Sequence, residues 1–233
     1  MTILEKIAER TKLRVTDYKN KISLDKIKSQ AFSLPRGNFL FETALRKPEL
    51  SFICECKKAS PSKGLIAPNF PYLDISKAYE AAGADAISIL TEPEFFLGND
   101  KFLAEISAQI SIPCLRKDFL VDEYMIYQAK TLGASAILLI CTILDDKQLK
   151  NFLATCDELG LSALVEAHDE QEIKRAIAAG YLEGARIVAA PLFLCSPGSH
   201  GDLSQGFSRN PELSAMLQQQ RTTLGNGKDF FVG

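Results

Sequence analysis

A closed α/β barrel of the (βα)8 type, preceded by a helical extension, is the fold this sequence predicts, and three observations predict it. Apolar runs recur at 51–56, 85–90 (DAISIL), 112–116 (IPCLR), 135–141 (SAILLIC), 161–166 (LSALVE) and 184–190 (GARIVAA), 23 to 34 residues apart, the length of a strand plus a crossover helix. Between them lie amphipathic stretches that end on glycine, as in AAGADA (81–86), TLGASA (131–136) and the step at Gly160, where a left-handed residue would close a helix. The repeat is uniform and contains no GxGxxG turn, which favours a barrel over a doubly wound dinucleotide-binding sheet.

The elements follow in order. From Thr2 to about Lys19, Ile3, Leu4, Ile7, Leu13, Val15 and Tyr18 recur near helical spacing, with Thr2 as cap and Glu5 three residues on. A second helical stretch runs from Leu24 to Phe32, Pro35-Arg36-Gly37 turns the chain, and a third helix carries Phe39, Phe41, Ala44 and Leu45 until Lys47-Pro48 ends it. The six βα units come next. After the sixth run the pattern stops: from Pro191 the chain is poor in charge, rich in scattered glycine, and carries no clear βα unit. The expected organisation is a barrel domain over 1–190, including the leading helices, and a divergent tail over 191–233, with the last two βα units missing or atypical.

Composition narrows the function classes. With 233 residues, 46% of them apolar, the chain can bury one well-cored domain. A formal charge of -2 leaves no global basic field for nucleic acid, while small anions remain acceptable ligands. Cys54, Cys56, Cys114, Cys141, Cys156 and Cys195 lack the paired spacing of a zinc site and read as buried thiols of a reducing compartment. His168 and His200 are too few and badly placed for a metal, and Asp145-Asp146 reads as a helix cap with a first-turn acid. The amino terminus lacks the apolar core of a signal peptide, and no run reaches membrane-spanning length. A cytoplasmic protein that binds neither nucleic acid nor membrane is expected.

Barrel enzymes work at the carboxyl ends of their strands, so the residues that close each apolar run are the candidates. The period-two pleat puts Ile53, Glu55 and Lys57 on one face of the first run and Cys54 and Cys56 on the other. Pro113, Leu115 and Lys117 share a face of the third run, and Ser162, Leu164 and Glu166 share one in the fifth. Two lysines and two glutamates converging on one mouth can supply a general acid and a general base, or a Schiff-base lysine. Taken singly, Lys117 or Glu166 could equally be a rim residue, and Glu55 with Lys57 a partly buried ion pair. Ser60, Pro61, Ser62, Lys63 and Gly64 form a loop of turn formers beside that pair, while Phe95, Phe96 and Phe119 could cover an apolar ligand or anchor their loops.

The segments ECKKASPSKG, ILTEPEFFLG, IPCLRKDFLVDEYMIYQA, GASAILLICTIL and ALVEAHDEQE, in this order and spacing, resemble the indole-3-glycerol-phosphate synthase family over roughly residues 1–187. The resemblance implies a lyase of tryptophan biosynthesis that needs no cofactor or metal. Its substrate would be a small phosphorylated anthranilate derivative, 1-(2-carboxyphenylamino)-1-deoxyribulose 5-phosphate, which closes to indole-3-glycerol phosphate with loss of carbon dioxide and water. It further implies that Lys117 is the general acid, that Glu166 is an acid/base in the dehydration, and that Lys57, oriented by Glu55, holds the substrate carboxylate. Ser60 would lie on the phosphate-side loop, and Phe96 and Phe119 near the anthranilate ring. A monomer, or association with other tryptophan-pathway enzymes, is the matching assembly.

Where the family continues after GARIV with a strand end bearing Asn and Arg, this chain reads AAPLFL, and the family's later Gly-Ser phosphate loop has no counterpart in residues 191–233. Weakened phosphate binding and low or absent activity are therefore expected, with a rearranged 3′ end as the hypothesis for the abrupt break. The alternatives are a noncatalytic truncated barrel, or small-ligand-binding relic, and a lyase that uses Lys57 or Lys117 as a Schiff base.

Overall fold

The computed structural model describes residues 1–47, 51–181, 187–189 and 231–232. The leading segment is three helices. In α1 (Ile3–Lys21) the Thr2 hydroxyl accepts from the Glu5 amide and the Glu5 carboxylate accepts from the Thr2 amide, the reciprocal capping predicted from sequence. Ser23 caps α2 (Leu24–Ser33), and α3 (Leu40–Leu45) follows the turn.

Alternating strands and helices come next: β1 (Phe52–Cys56), a two-residue hairpin β2 (Ala59–Ser60) and β3 (Gly64–Leu65), α4 (Tyr72–Ala81), β4 (Ala86–Leu90), α5 (Asp100–Ser107), β5 (Cys114–Lys117), α6 (Tyr124–Thr131), β6 (Ala136–Ile140), α7 (Asp146–Leu159), β7 (Ser162–Glu166), α8 (Glu170–Ala176) and β8 (Ile187–Ala189). Phe231–Val232, β9, pairs with the outer edge of β1. The large sheet runs β8-β7-β6-β5-β4-β1-β9 with every pairing parallel. Gly83, Gly133 and Gly160 all have positive φ where a helix ends, as the Gly-Ala turns predict.

Three local details differ from the sequence reading. The Ser60–Gly64 stretch is a small antiparallel hairpin, because Ala59 pairs with Leu65 and Ser60 with Gly64. The third strand runs one residue further than its apolar pattern, so Lys117 lies within it. The fourth strand stops at Ile140, and Cys141–Ile143 tightens into a 3-10 turn. The expected tail over 191–233 lies outside the described residues except at 231–232.

Both faces of the sheet are covered, as continuous apolar strands require. One face looks toward the helix layer: Cys56, Ile87, Ile89, Cys114, Ile137, Leu139, Ala163 and Val165 pack there with helix residues such as Leu103, Met125 and Leu149. The other face builds the barrel interior from Ile53, Ala86, Leu115, Ala136, Leu138, Ile140 and Leu164, and Phe41 and Leu45 of α3 join it. Both α3 side chains are fully buried. At about 1.5–3 kcal/mol for each such side chain, this burial is what holds a six-residue helix that would not persist alone. Through α3 the helical extension thereby enters the barrel core, while Ala8, Val15, Ile27 and Ala31 of α1 and α2 pack with the helix layer.

Candidate active site

Glu55, Lys117 and Glu166 all continue interior rows, and they do not sit at one height. Glu55 pairs in register with Ser88, and Ser88 with Leu115, so Lys117 stands two residues further along the strands than Glu55. Across β6 the register carries on to β7, where Leu164 and Glu166 lie level with Leu138 and Ile140. The site is a staircase produced by the stagger of tilted strands.

Glu55 lies between two cations. Its side chain is 7% exposed, and its carboxylate accepts from Lys57 Nζ at 2.5 Å and from Lys117 Nζ at 2.7 Å. Burial pushes the Glu55 carboxyl upward, but the two ammonium groups outweigh it and hold the group below the ordinary carboxylate range. Glu166 behaves oppositely: burial raises it, and the charges of Lys117 and His168 only partly offset the rise. One mouth therefore holds a carboxylate kept ionised and a carboxyl biased toward keeping its proton, the separation that sorts base from acid.

Above this cluster, the loop after β4 is organised by Glu92. Its buried carboxylate accepts from the amides of Glu94, Phe95 and Phe96 at 3.0, 2.7 and 2.9 Å. That nest presents Phe96 to Phe119, with ring centroids 5.9 Å apart and planes inclined by 36°. The two aromatics predicted to flank a ring ligand thus meet each other. Ser60 is placed differently: its hydroxyl accepts from the Lys63 amide at 3.2 Å and faces Ser62 at 3.4 Å, within the hairpin and not on the charged cluster.

Two groups of residues that sequence reasoning missed support the site from behind. The first is an ionic lattice on the outer side of β5. Arg116 is fully buried and donates to Thr91, Asp100 and the Met125 carbonyl, while Asp118 accepts from Thr91 and from Arg14 of α1, each at 2.7 Å. Burial would raise Asp118, yet Arg14 and Arg116 hold it below its usual range. Arg10 grips Glu94 and Lys19 grips Asp122, so α1 is tied to the loops after both β4 and β5. The basic residues of α1 at 10, 14 and 19 carried that signal, but their partners lie about a hundred residues away. The second group is His168, Thr142 and Glu172 beside Glu166. His168 Nε2 lies 3.1 Å from Glu166, and Nδ1 lies 3.2 Å from the Thr142 hydroxyl and 3.4 Å from Glu172.

Among the described residues, no cluster of three His, Cys, Asp or Glu could hold a metal ion, and no helix is long and apolar enough to cross a membrane. Cys54, Cys56, Cys114, Cys141 and Cys156 are free thiols, and burial pushes Cys56 and Cys114 up to about 12. Cys195 lies outside the described residues.

Interior-facing acids and lysines at the carboxyl ends of parallel strands, with helices on the outer face, define the α/β-barrel class with a strand-end acid–base site. The chain belongs to the indole-3-glycerol phosphate synthase family, whose model matches residues 4–188. It is 58% identical over 179 residues to the indole-3-glycerol phosphate synthase of Ruminiclostridium cellulolyticum, covering 76% of this chain and 69% of that protein. Its identity to the enzyme of the same name from Lachnoclostridium phytofermentans is 48% over 198 residues, covering 80% of this chain and 72% of that one. With the Lactiplantibacillus plantarum protein, also so named, it is 45% over 217 residues, covering 93% and 78%.

Proposed function

We propose that this chain closes the indole ring of 1-(2-carboxyphenylamino)-1-deoxyribulose 5-phosphate, releasing carbon dioxide and water. The observation that carries the reading is the Lys57–Glu55–Lys117 triplet, two ammonium groups held at 2.5 and 2.7 Å from one buried carboxylate, with Glu166 nearby at the same mouth. In this reading Lys117 protonates the substrate carbonyl oxygen as the anthranilate ring carbon attacks. Lys57 holds the departing carboxylate, and Glu55 keeps both ammonium groups aimed. Glu166 serves the dehydration, for which a carboxyl whose proton affinity is raised by burial suits the departure of a hydroxyl as water. Phe96 and Phe119 supply an apolar wall for the anthranilate ring, and Ser60 contributes to the phosphate side. No cofactor or metal enters these steps.

The residues AAPLFL that follow GARIV offer no polar side chain to a phosphate, so the proposed activity is low, with substrate affinity weakened more than chemistry. Steady-state turnover followed by indole fluorescence tests the reading, with Lys117→Ala as control. Turnover abolished in that variant supports it. Folded protein with no turnover supports the noncatalytic relic instead. Borohydride trapping of a substrate adduct would favour the Schiff-base alternative. A cytoplasmic location and a monomer, or association with other tryptophan-pathway enzymes, belong to the same proposal.

A further inference from the structure

Charge balance in the proposed reaction sets a requirement. The substrate surrenders a carboxylate as neutral carbon dioxide and a hydroxyl as water, so each turnover takes up one proton from solvent. Glu166 sits beside the one imidazole among the described residues, and the surroundings of that ring fix how it can act. The Thr142 hydroxyl has a single hydrogen, which it donates to Glu172 Oε1 at 2.7 Å. Toward His168 Nδ1, Thr142 and Glu172 therefore present only acceptor oxygens, at 3.2 and 3.4 Å. Nδ1 carries a hydrogen to meet them. The other ring nitrogen, Nε2, is left facing Glu166 at 3.1 Å.

We propose that His168 is a positioning residue that reloads Glu166 with its proton from solvent through Nε2. The ring side chain is 54% exposed whereas that of Glu166 is 16% exposed, so the imidazole spans the step from water to the buried carboxyl. One proton moves between two states: imidazolium with ionised Glu166, and neutral imidazole with protonated Glu166. In both, Nδ1–H stays on Thr142 and Glu172. After Glu166 gives its proton to the departing hydroxyl, the neutral ring takes one proton from water at Nε2, and that imidazolium N–H passes it to the ionised carboxylate. The backbone supports the geometry, because the His168 amide donates to Glu172 Oε2 at 2.7 Å and so fixes Glu172 under the ring. The charged and titratable groups around the pair are Lys117 from β5, Glu172 from α8, and the Cys141 thiol after β6, which burial pushes up to about 11; Arg175 stands over the Cys141 carbonyl.

This rests on the role of Glu166 proposed above, and two measurements separate the failure of either. Imidazole 15N resonances, assigned by loss in His168→Gln since the chain has just one other histidine, need no turnover. Nδ1 is expected to be protonated at pH 7, and Glu166→Gln should move the Nε2 resonance while leaving Nδ1 in place. An unprotonated Nδ1 overturns the inference. Kinetically, His168→Ala and His168→Gln should lower kcat about tenfold with KM unchanged and a larger solvent deuterium isotope effect, and added imidazole should restore the alanine variant. Variants within about twofold of the parent overturn it, as does a loss with no change in isotope effect and no rescue. Full turnover in Glu166→Gln overturns the role of Glu166 itself.

Discussion

Lys117 Nζ lies 2.7 Å from Glu55 Oε2 although 62 residues separate them in the chain, and the same carboxylate holds Lys57. This contact joins the first and third strand ends of the site, and Glu55 is its hinge. Glu55→Gln leaves two ammonium groups side by side without the carboxylate between them. Turnover is expected to fall about 10²-fold or more, within the range of a lost acid–base component. Because the folded-state value of Glu55 lies below the ordinary one, its stabilisation is present above the unfolded carboxylate range and is lost as pH falls through the lower folded value. The Tm gap between parent and variant should therefore be open at pH 7 and close in acid. A gap independent of pH would show that packing, not charge, accounts for the loss.

Glu166→Gln should behave in the opposite way. Burial holds Glu166 above the ordinary carboxylate range, so its contribution to stability is present below the unfolded value and lost as pH rises through the raised folded value. The amide has no charge to desolvate. Thermal denaturation at pH 7 is expected to give a Tm no lower than the parent's, while turnover falls about 10²- to 10⁴-fold. A variant both inactive and markedly less stable would place Glu166 among the structural acids.

The parts of the fold legible in the sequence were those set by local periodicity. The pleat rule placed Glu55, Lys117 and Glu166 on one face because strand alternation needs no tertiary information, and Thr2 and Glu5 announced their cap within four residues. What remained hidden depended on distant partners. Arg116 reads as a third charge of the LRKDF run, yet its side chain alternates to the opposite face and is fully buried against Thr91 and Asp100. Glu92 looks like any loop acid until the chain folds three amides onto it. His168 reads in the sequence only as one of two scattered imidazoles, because its contacts with Glu166, Thr142 and Glu172 form only when separate elements meet.

Asp118 follows Lys117 directly and accepts from Arg14 and Thr91, with Arg116 3.5 Å away. Asp118→Ala would leave Arg116 buried with one carboxylate fewer and release α1 from the strand end. Breaking a buried ion pair from one side costs about 3–5 kcal/mol, which for a chain of this size lowers Tm by roughly 6–20 °C. Arg14→Ala removes the tie to α1 but spares the bonds of Arg116 to Asp100 and Met125, so a smaller Tm drop is expected, together with reduced turnover as Lys117 loses its support. Urea unfolding and kinetics on both variants decide the matter. Equal, small losses would mean that the lattice is dispensable.

The last prediction separates backbone strain from close approach. Gly160 ends α7 with φ +68°, and a Cβ there would fall 1.9 Å from the Gly37 carbonyl oxygen, because Gly37 and Phe39 donate their amides to the Leu159 and Gly160 carbonyls. Gly83 ends α4 with φ +92°, and a Cβ there meets nothing within 4 Å. Each substitution to alanine incurs the left-handed penalty of about 1–2 kcal/mol, but Gly160→Ala must also push the 37–39 segment away. That segment leads into α3, whose Phe41 and Leu45 join the barrel interior. Gly83→Ala should lower Tm by about 2–8 °C, and Gly160→Ala by at least twice as much. Matching losses in the two variants would mean that the helical extension shifts without disturbing the barrel core.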